Sequence, residues 1–420
     1  MKGLVHLMRL SAALGVGACL LVLWAYAQLQ GGGGSPLSPE VLGVDLRPTI
    51  PADGSKTFGA VRFRDADGDI VQARFDVIEA VDFAPFSFNP KVKGQTSGSF
   101  PFFVFSKIPQ RVRLRLTLID EAGNQSLPVE FSFEAVTLIS VLGKWGTRGA
   151  GESQFNGVSH IALDDRRRVY VTDFSLDRVQ KFTSDGQLLA QWGGRGSGNG
   201  QLTGPLGIAV DYQGNVYVSD AGNQRVQKFT ESGAFITKWG SLGTGEGQFS
   251  FPTGVATDPA GNVYVADKVN NRIQKFSPTG VLIARWGMFG QAEAQFNSPN
   301  DIAVSNQGIV YVLDTGNGRV QKFMADGSYL GQWGSPGDRE GQFQAPMGIA
   351  VDAHGFVYVA DTGNNRIQKF SGDGAFIVKW GSLGAGDGQF DHPVDLAVDP
   401  DGVIYVAEAG NHRIQKIKFK

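Results

Sequence analysis

One spacing constrains this chain more than any other property. The tyrosine of a Val-Tyr-Val or Ile-Tyr-Val triplet recurs at Tyr170, Tyr217, Tyr264, Tyr311, Tyr358 and Tyr405, always 47 residues on from the last. A Trp-Gly pair recurs at Trp145, Trp192, Trp239, Trp286, Trp333 and Trp380, again every 47 residues and without insertion or deletion. A constant period of this length means one supersecondary unit copied in register, each copy burying its faces against its neighbours.

The unit reads as four strands. In the second copy they are "GIAVD" (207–211), "NVYVSD" (215–220), "RVQKFT" (225–230) and "FITKWG" (235–240). The gaps "YQG" and "ESG" are hairpin-sized, and "AGNQ" supplies Gly and Asn where left-handed backbone is needed. A four-stranded meander of this size is one propeller blade. The 58 glycines, only five methionines and 19% charged residues fit many short strands joined by tight turns. The expected fold is therefore all-β, with almost no helix beyond the N-terminus.

The phase of the markers predicts how the ring closes. Trp145 precedes the first complete unit, whereas the unit of Tyr405 ends at Lys420 without a fourth strand. The segment "LISVLGKWG" (138–146) is thus expected to supply the outer strand of blade six and to remove the open edge.

An acid and an arginine flank every turn between strands two and three: Asp173 and Arg178, Asp220 and Arg225, Asp267 and Arg272, Asp314 and Arg319, Asp361 and Arg366, Glu408 and Arg413. Sixfold repetition favours a turn-fixing bridge, since a catalytic group is needed once; a ring of arginines binding an anion is the alternative. The repeated tryptophans are read as interblade packing, with stacking platforms for sugars or bases as the alternative.

At these residues the chain resembles the NHL-repeat family. Residues 346–381 follow its pattern of Pro-x-Gly-Ile-Ala-Val-Asp, Tyr-Val-Ala-Asp, Asn-x-Arg-Ile-Gln-Lys-Phe and Trp-Gly, and the resemblance runs from residue 138 to the end. It implies a six-bladed β-propeller and says little about activity. Some NHL propellers of tripartite-motif proteins bind RNA, but residues 138–420 hold 25 Lys and Arg against 27 Asp and Glu, so no basic face is evident and nucleic acid is not an expected partner. RING and B-box segments are absent, and ubiquitin ligation is not carried over. The formal net charge of −2 likewise supplies no field toward nucleic acid or an anionic membrane.

Residues 40–137 lie outside the repeat. "GAVRFRDADGDIVQARFDV" (59–77) has a hairpin pattern, and "VRLRLTLIDEAGNQSLPVEFSFEA" (112–135) alternates around Gly123 and Asn124. A small β-sandwich is expected, similar to immunoglobulin-like or fibronectin-like modules. Asp65, Asp67 and Asp69 could be calcium ligands, but the stretch lacks a long ligand loop and distal glutamate, so a polar hairpin turn is preferred.

The N-terminus carries an address. Lys2 and Arg9 precede an apolar run ending in Ala25-Tyr26-Ala27, a small-x-small pattern before Gln28, so residues 1–27 are expected to be a secretory signal. The alternatives are a membrane anchor over residues 10–29 and, more weakly, lipoprotein processing at "VGAC" (16–19). Residues 28–39 read as a Gly/Ser/Pro linker, and the single cysteine, Cys19, excludes an intrachain disulfide.

Function beyond scaffolding should sit where repeats deviate. Strand one of the second copy begins at Gly207; its equivalents are His160, Gly254, Asp301, Gly348 and Asp395. His160, Asp301 and Asp395 are therefore expected near one mouth of the central channel, with His392 and His412 on the same face and His160, His392 and Asp395 able to approach one another. Such groups suit a divalent metal or acid–base work; a merely polar channel mouth is the preferred alternative. The resemblance extends to peptidylamidoglycolate lyases, which bind metal through histidines, and to lactonases with a central calcium in other six-bladed propellers, but neither ligand set matches residue by residue. With no nucleophile motif such as Gly-x-Ser-x-Gly, the expected function is an exported, monomeric binding scaffold for a protein, peptide or glycan partner. No cofactor is expected on that reading. The alternative is a metal-dependent lyase or hydrolase using zinc or calcium at the channel mouth.

Overall fold

The computed structural model describes residues 38–46, 49–51, 57–80, 84–104, 110–136 and 139–419. The expected signal or anchor and nearly all of the linker lie outside these residues. The chain divides at Val136/Thr137 into two compact units.

In the first unit, Glu40–Asp45, Thr57–Arg64 and Ser97–Val104 form one sheet. Thr49–Pro51, Val129–Val136, Gln110–Asp120, Ile70–Glu79 and Phe86–Phe88 form a second. Both sheets contribute to a single core that includes Phe63, Phe75, Phe100, Phe102, Leu114 and Phe133, as in a β-sandwich. The turn at Gly123 joins a true antiparallel hairpin, Gln110–Asp120 against Val129–Val136. The expected hairpin over 59–77 is different: Thr57–Arg64 and Ile70–Glu79 belong to different sheets. Both strands bury apolar faces, and the "DADGD" segment carries the chain across the core from one sheet to the other.

The second unit contains six four-stranded antiparallel sheets. Blade 1 runs Val158–Leu163, Val169–Asp173, Arg178–Phe182 and Leu188–Gly193, and blades 2 to 5 repeat that order. Blade 6 is Pro393–Val398, Val403–Glu408 and Arg413–Phe419, and its outer strand is Ile139–Trp145, paired Ile414 to Trp145 through Phe419 to Ile139. The closure expected from the phase of the tryptophans is what forms.

Burial follows from each blade being sandwiched between two others. The second strand, for example Val216–Asp220, is buried at every position, because both of its faces meet protein. The outer strand Phe235–Trp239 alternates, one face on a neighbour and one in solvent. Six apolar clusters each join two adjacent blades, the last linking Tyr405, Ala407 and Ile414 of blade 6 to Phe155, Val169 and Phe182 of blade 1.

The tryptophans pack between blades as expected. Trp192 lies 6.3 Å from Tyr170 of its own blade and 6.0 Å from Phe229 of the next. Gly233 of that next blade sits under the indole, where a Cβ would stand 2.5 Å from a ring carbon. The position therefore accepts only glycine.

The acid–arginine bridge forms in five blades. Arg225, Arg272, Arg319 and Arg366 each place Nε 2.7 Å from the aspartate five residues earlier, and Arg413 lies 2.6 Å from Glu408. Each guanidinium also donates to three carbonyls of the loop entering its blade; for Arg272 these belong to Thr244, Gly245 and Gln248. One side chain thus ties the loop to the turn. Blade 1 departs from the expected pattern: Asp173 accepts the N–H groups of Asn156, Gly157 and Leu176, while Arg178 bonds Gln191 and three carbonyls and leaves Nε without a partner.

Candidate functional site in the channel

The inner strands begin close to the propeller axis. A Cβ on Gly207 would stand 2.2 Å from the Thr253 carbonyl oxygen, and one on Gly254 would stand 2.3 Å from Asp301 Oδ1. A Cβ on Gly348 would meet both the Cα and Oδ1 of Asp395 at 2.5 Å. Backbone fills the ring at three positions, so side chains can occupy only the other three, in blades 1, 4 and 6.

Those side chains converge. His160, Asp301 and Asp395 each offer a ligand-type atom within 4.8 Å of the others. They are 6%, 4% and 4% exposed, so all three are buried where the inner strands crowd together. His160 Nε2 lies 3.8 Å from Asp301 Oδ1, between blades on opposite sides of the ring.

Each carboxylate is held by the next blade. Asp301 Oδ2 accepts the Ile349 N–H at 2.9 Å, and Asp395 Oδ2 accepts the Ile161 N–H at 2.8 Å. Thr172 Oγ1 links the remaining sector, accepting the His160 N–H and donating to the Leu206 carbonyl. Neither ring nitrogen of His160 has a hydrogen-bond partner.

Desolvation sets the charge state of this cluster. Burial, with a smaller push from the Lys268 ammonium, brings the His160 imidazole down to about 4. Burial lifts the Asp301 carboxyl to about 7 against the N–H bonds that favour its charged form. Burial first and then the Asp301 charge hold Asp395 well above the usual carboxylate range. One neutral imidazole and two carboxyls in this arrangement can share a proton or hold a cation.

The expected grouping is corrected at His392. His392 has a left-handed backbone (φ 48°), leaves 65% of its side chain exposed and places Nδ1 2.6 Å from Asp391 Oδ1. It faces its sequence neighbour and solvent rather than His160. His412 also has positive φ, at 52°, and stays in its turn outside the cluster.

Asp65, Asp67 and Asp69 also bring carboxylate atoms within 4.8 Å of one another. There Asp65 Oδ2 accepts the Asp69 N–H at 2.8 Å and organises the segment crossing between the sheets. Burial raises the Asp65 carboxyl.

Lys268 and Asn300 belong to the channel and were missed in the sequence. Lys268 Nζ donates to Asn300 Oδ1 at 2.9 Å, and Asn300 Nδ2 donates to the Met347 carbonyl at 2.7 Å. Burial lowers the Lys268 ammonium. The signal was present in the repeats, since the positions equivalent to Lys268 are Phe174, Ala221, Thr315, Thr362 and Ala409.

The loop-bearing face has a second irregularity, three residues after each tryptophan. The series there is Arg148, Arg195, Leu242, Phe289, Pro336 and Leu383. Leu242 and Phe289 are 70% exposed, with Met288 and Val269 beside them at 62% and 60%. The blade 3 turn that carries Val269 bonds both flanking loops, through Asn270 Nδ2 to the Gly243 carbonyl and through the Ser298 N–H to Asn271 Oδ1. These apolar side chains therefore share one rim segment.

Comparisons with known proteins agree with this architecture. The NHL repeat matches residues 202–229, 249–276, 296–323, 343–370 and 390–417. No curated protein matches the chain. Among solved structures, a protein of unknown function from Bacteroides thetaiotaomicron is 17% identical, with a TM-score of 0.53 over 93% of this chain and 100% of the other. A protein from Bacteroides ovatus described as an auxiliary nutrient binding protein is 16% identical, with a TM-score of 0.51 over 91% of this chain and 98% of its own. At such identities the likeness concerns the fold alone. The chain therefore carries an NHL-repeat six-bladed β-propeller, closed by a strand from before the first repeat and preceded by two further β-sheets.

Proposed function

We propose that this protein is an exported binding module whose loop-bearing rim around blade 3 takes an apolar segment of a protein or peptide partner. The observation that carries the reading is the rim itself. Leu242, Val269, Met288 and Phe289 are each 60% exposed or more on neighbouring loops. Scattered exposed apolar side chains need no explanation, but a grouped set on hydrogen-bonded loops suggests a contact surface. Exposed aliphatic and aromatic side chains grouped in this way favour an apolar protein or peptide segment over a glycan. Five of the six repeated arginines are bonded to a buried acid and all six to loop carbonyls, which argues against an anion-binding ring.

The lyase or hydrolase reading is less well supported. It would require a substrate to reach His160, Asp301 and Asp395, which are all buried among closely approaching inner strands.

The test is selection from a random peptide display library on the full chain, with counter-selection on a Leu242→Asp, Phe289→Asp chain. Apolar peptides that bind the first and lose about tenfold or more in affinity for the second are expected. Failure to enrich any sequence, or equal binding to both chains, would remove the rim as the binding surface.

A further inference from the structure

We propose that His160, Asp301 and Asp395 together hold one divalent transition-metal ion, of the zinc or manganese class, on the axis of the propeller. The inference is independent of the rim and rests on four features of the channel.

The first is the imidazole. A neutral histidine carries one donor and one acceptor, and a buried polar atom normally finds a partner. Both nitrogens of His160 are buried and unpartnered, although carboxylates stand close by. A ligand between these groups satisfies Nε2, the nitrogen that faces Asp301.

The second is distance. At 3.8 Å, His160 Nε2 and Asp301 Oδ1 are too far apart for a hydrogen bond. Two ligands on a tetrahedral ion with bonds of about 2.1 Å stand about 3.4 Å apart, so a small inward movement completes the geometry.

The third is orientation. Backbone N–H groups of Ile349 and Ile161 fix one oxygen of each carboxylate. This is how outer-shell donors aim ligands at a metal.

The fourth is charge. Among the described residues no Lys or Arg forms an ion pair with Asp301 or Asp395. The nearby ammonium of Lys268 donates to the neutral amide of Asn300. A cation between the carboxylates compensates both. Imidazole with carboxylates suits zinc or manganese better than calcium, which takes six to eight oxygens. Because the ligands come from blades 1, 4 and 6, the ion acts as a bolt across the ring.

The experiment uses the full chain, unfolded in guanidinium with chelator, refolded free of metal and then dialysed against zinc or manganese alone and, separately, against an equimolar mixture of both with calcium. Elemental analysis is expected to find about one equivalent retained by the wild type and about tenfold less in His160→Gln and Asp395→Asn. Metal is also expected to raise the wild-type melting midpoint by about 5 °C or more, a readout that does not depend on the variants folding. Equal metal in His160→Gln would place the ion elsewhere, as at the 65–69 aspartates, and overturn the site. Absence of stoichiometric metal together with an unchanged midpoint would also overturn it, leaving a proton shared between Asp301 and Asp395. Calcium retained in preference to zinc and manganese would overturn the assigned metal class.

Discussion

Replacing Arg272 by Met should destabilise the propeller far more than the same change at the equivalent Arg178. Asp267 is fully buried and places Oδ2 2.7 Å from Arg272 Nε. Without the guanidinium, Asp267 keeps the Ser250 N–H, Asn270 Nδ2 and Gln274 Nε2, but no counter-charge. Breaking a buried pair from one side costs about 3–5 kcal/mol. The freed carbonyls of Thr244 and Gly245 add little, since they lie in a loop that water reaches. Arg178 makes no bond to Asp173, whose carboxylate is already held by three backbone N–H groups. Removing it loses hydrogen bonds but strands no ion-paired acid, so a cost of about 2 kcal/mol is expected. The assay is guanidinium unfolding followed by tryptophan fluorescence, with Asp267→Asn, Arg272→Met as the third chain. That double variant should recover at least 1 kcal/mol or so over Arg272→Met, because the unpaired charge is gone. Equal losses at Arg178 and Arg272, or no recovery in the double variant, would refute the argument that a buried counter-charge dominates the turn.

Two other measurements probe the channel and the blade interfaces. Gly254→Ala places a Cβ 2.3 Å from Asp301 Oδ1 and 2.6 Å from its Cα, whereas Gly143→Ala meets nothing within 4 Å. The first should lower the unfolding free energy by about 2–3 kcal/mol and the second should leave it unchanged or slightly raised; similar stabilities would mean the ring is looser than described. Alkaline titration tests burial of the repeated tyrosines. Tyr170, Tyr217, Tyr264, Tyr311, Tyr358 and Tyr405 are all raised above their ordinary value, with burial the largest cause. Below pH 10 both folded and unfolded chains keep these protons. Above it only the unfolded chain releases them, so stability falls as pH rises by about 1.4 kcal/mol per pH unit for each residue. In a chain with the other three tyrosines, Tyr26, Tyr212 and Tyr329, replaced by Phe, phenolate absorbance and loss of strand circular dichroism should appear together in one transition above pH 10. Ionisation of the six near pH 10 with the strands intact would contradict their burial.

Much of this molecule is legible in its sequence, because a propeller is built from local units. The period, the four strands of each blade, the interblade tryptophans and closure by the segment before the first repeat all follow from spacing and phase. His160, Asp301 and Asp395 were also visible, as polar departures at one repeat position. Lys268 left the same kind of trace, at a turn position where the other copies hold Phe174, Ala221, Thr315, Thr362 and Ala409. The first unit was harder to read. The alternation over 59–77 suggested a hairpin, yet both of its strands face one core from different sheets. A period of two identifies a half-buried strand without naming its partner.

The sequence by itself determined the fold of residues 139–419, since each blade is a local meander and the unbroken 47-residue phase leaves one way to join the ends. Only the tertiary structure decided how wide the channel is. Glycine at 207, 254 and 348 lets the inner strands lean together until opposite blades bring His160 and Asp301 to 3.8 Å. It also decided that His392 turns outward and that Arg178 is not bonded to Asp173. These are contacts between distant parts of the chain, set by how the ring converges, and a repeat pattern carries no direct record of that distance.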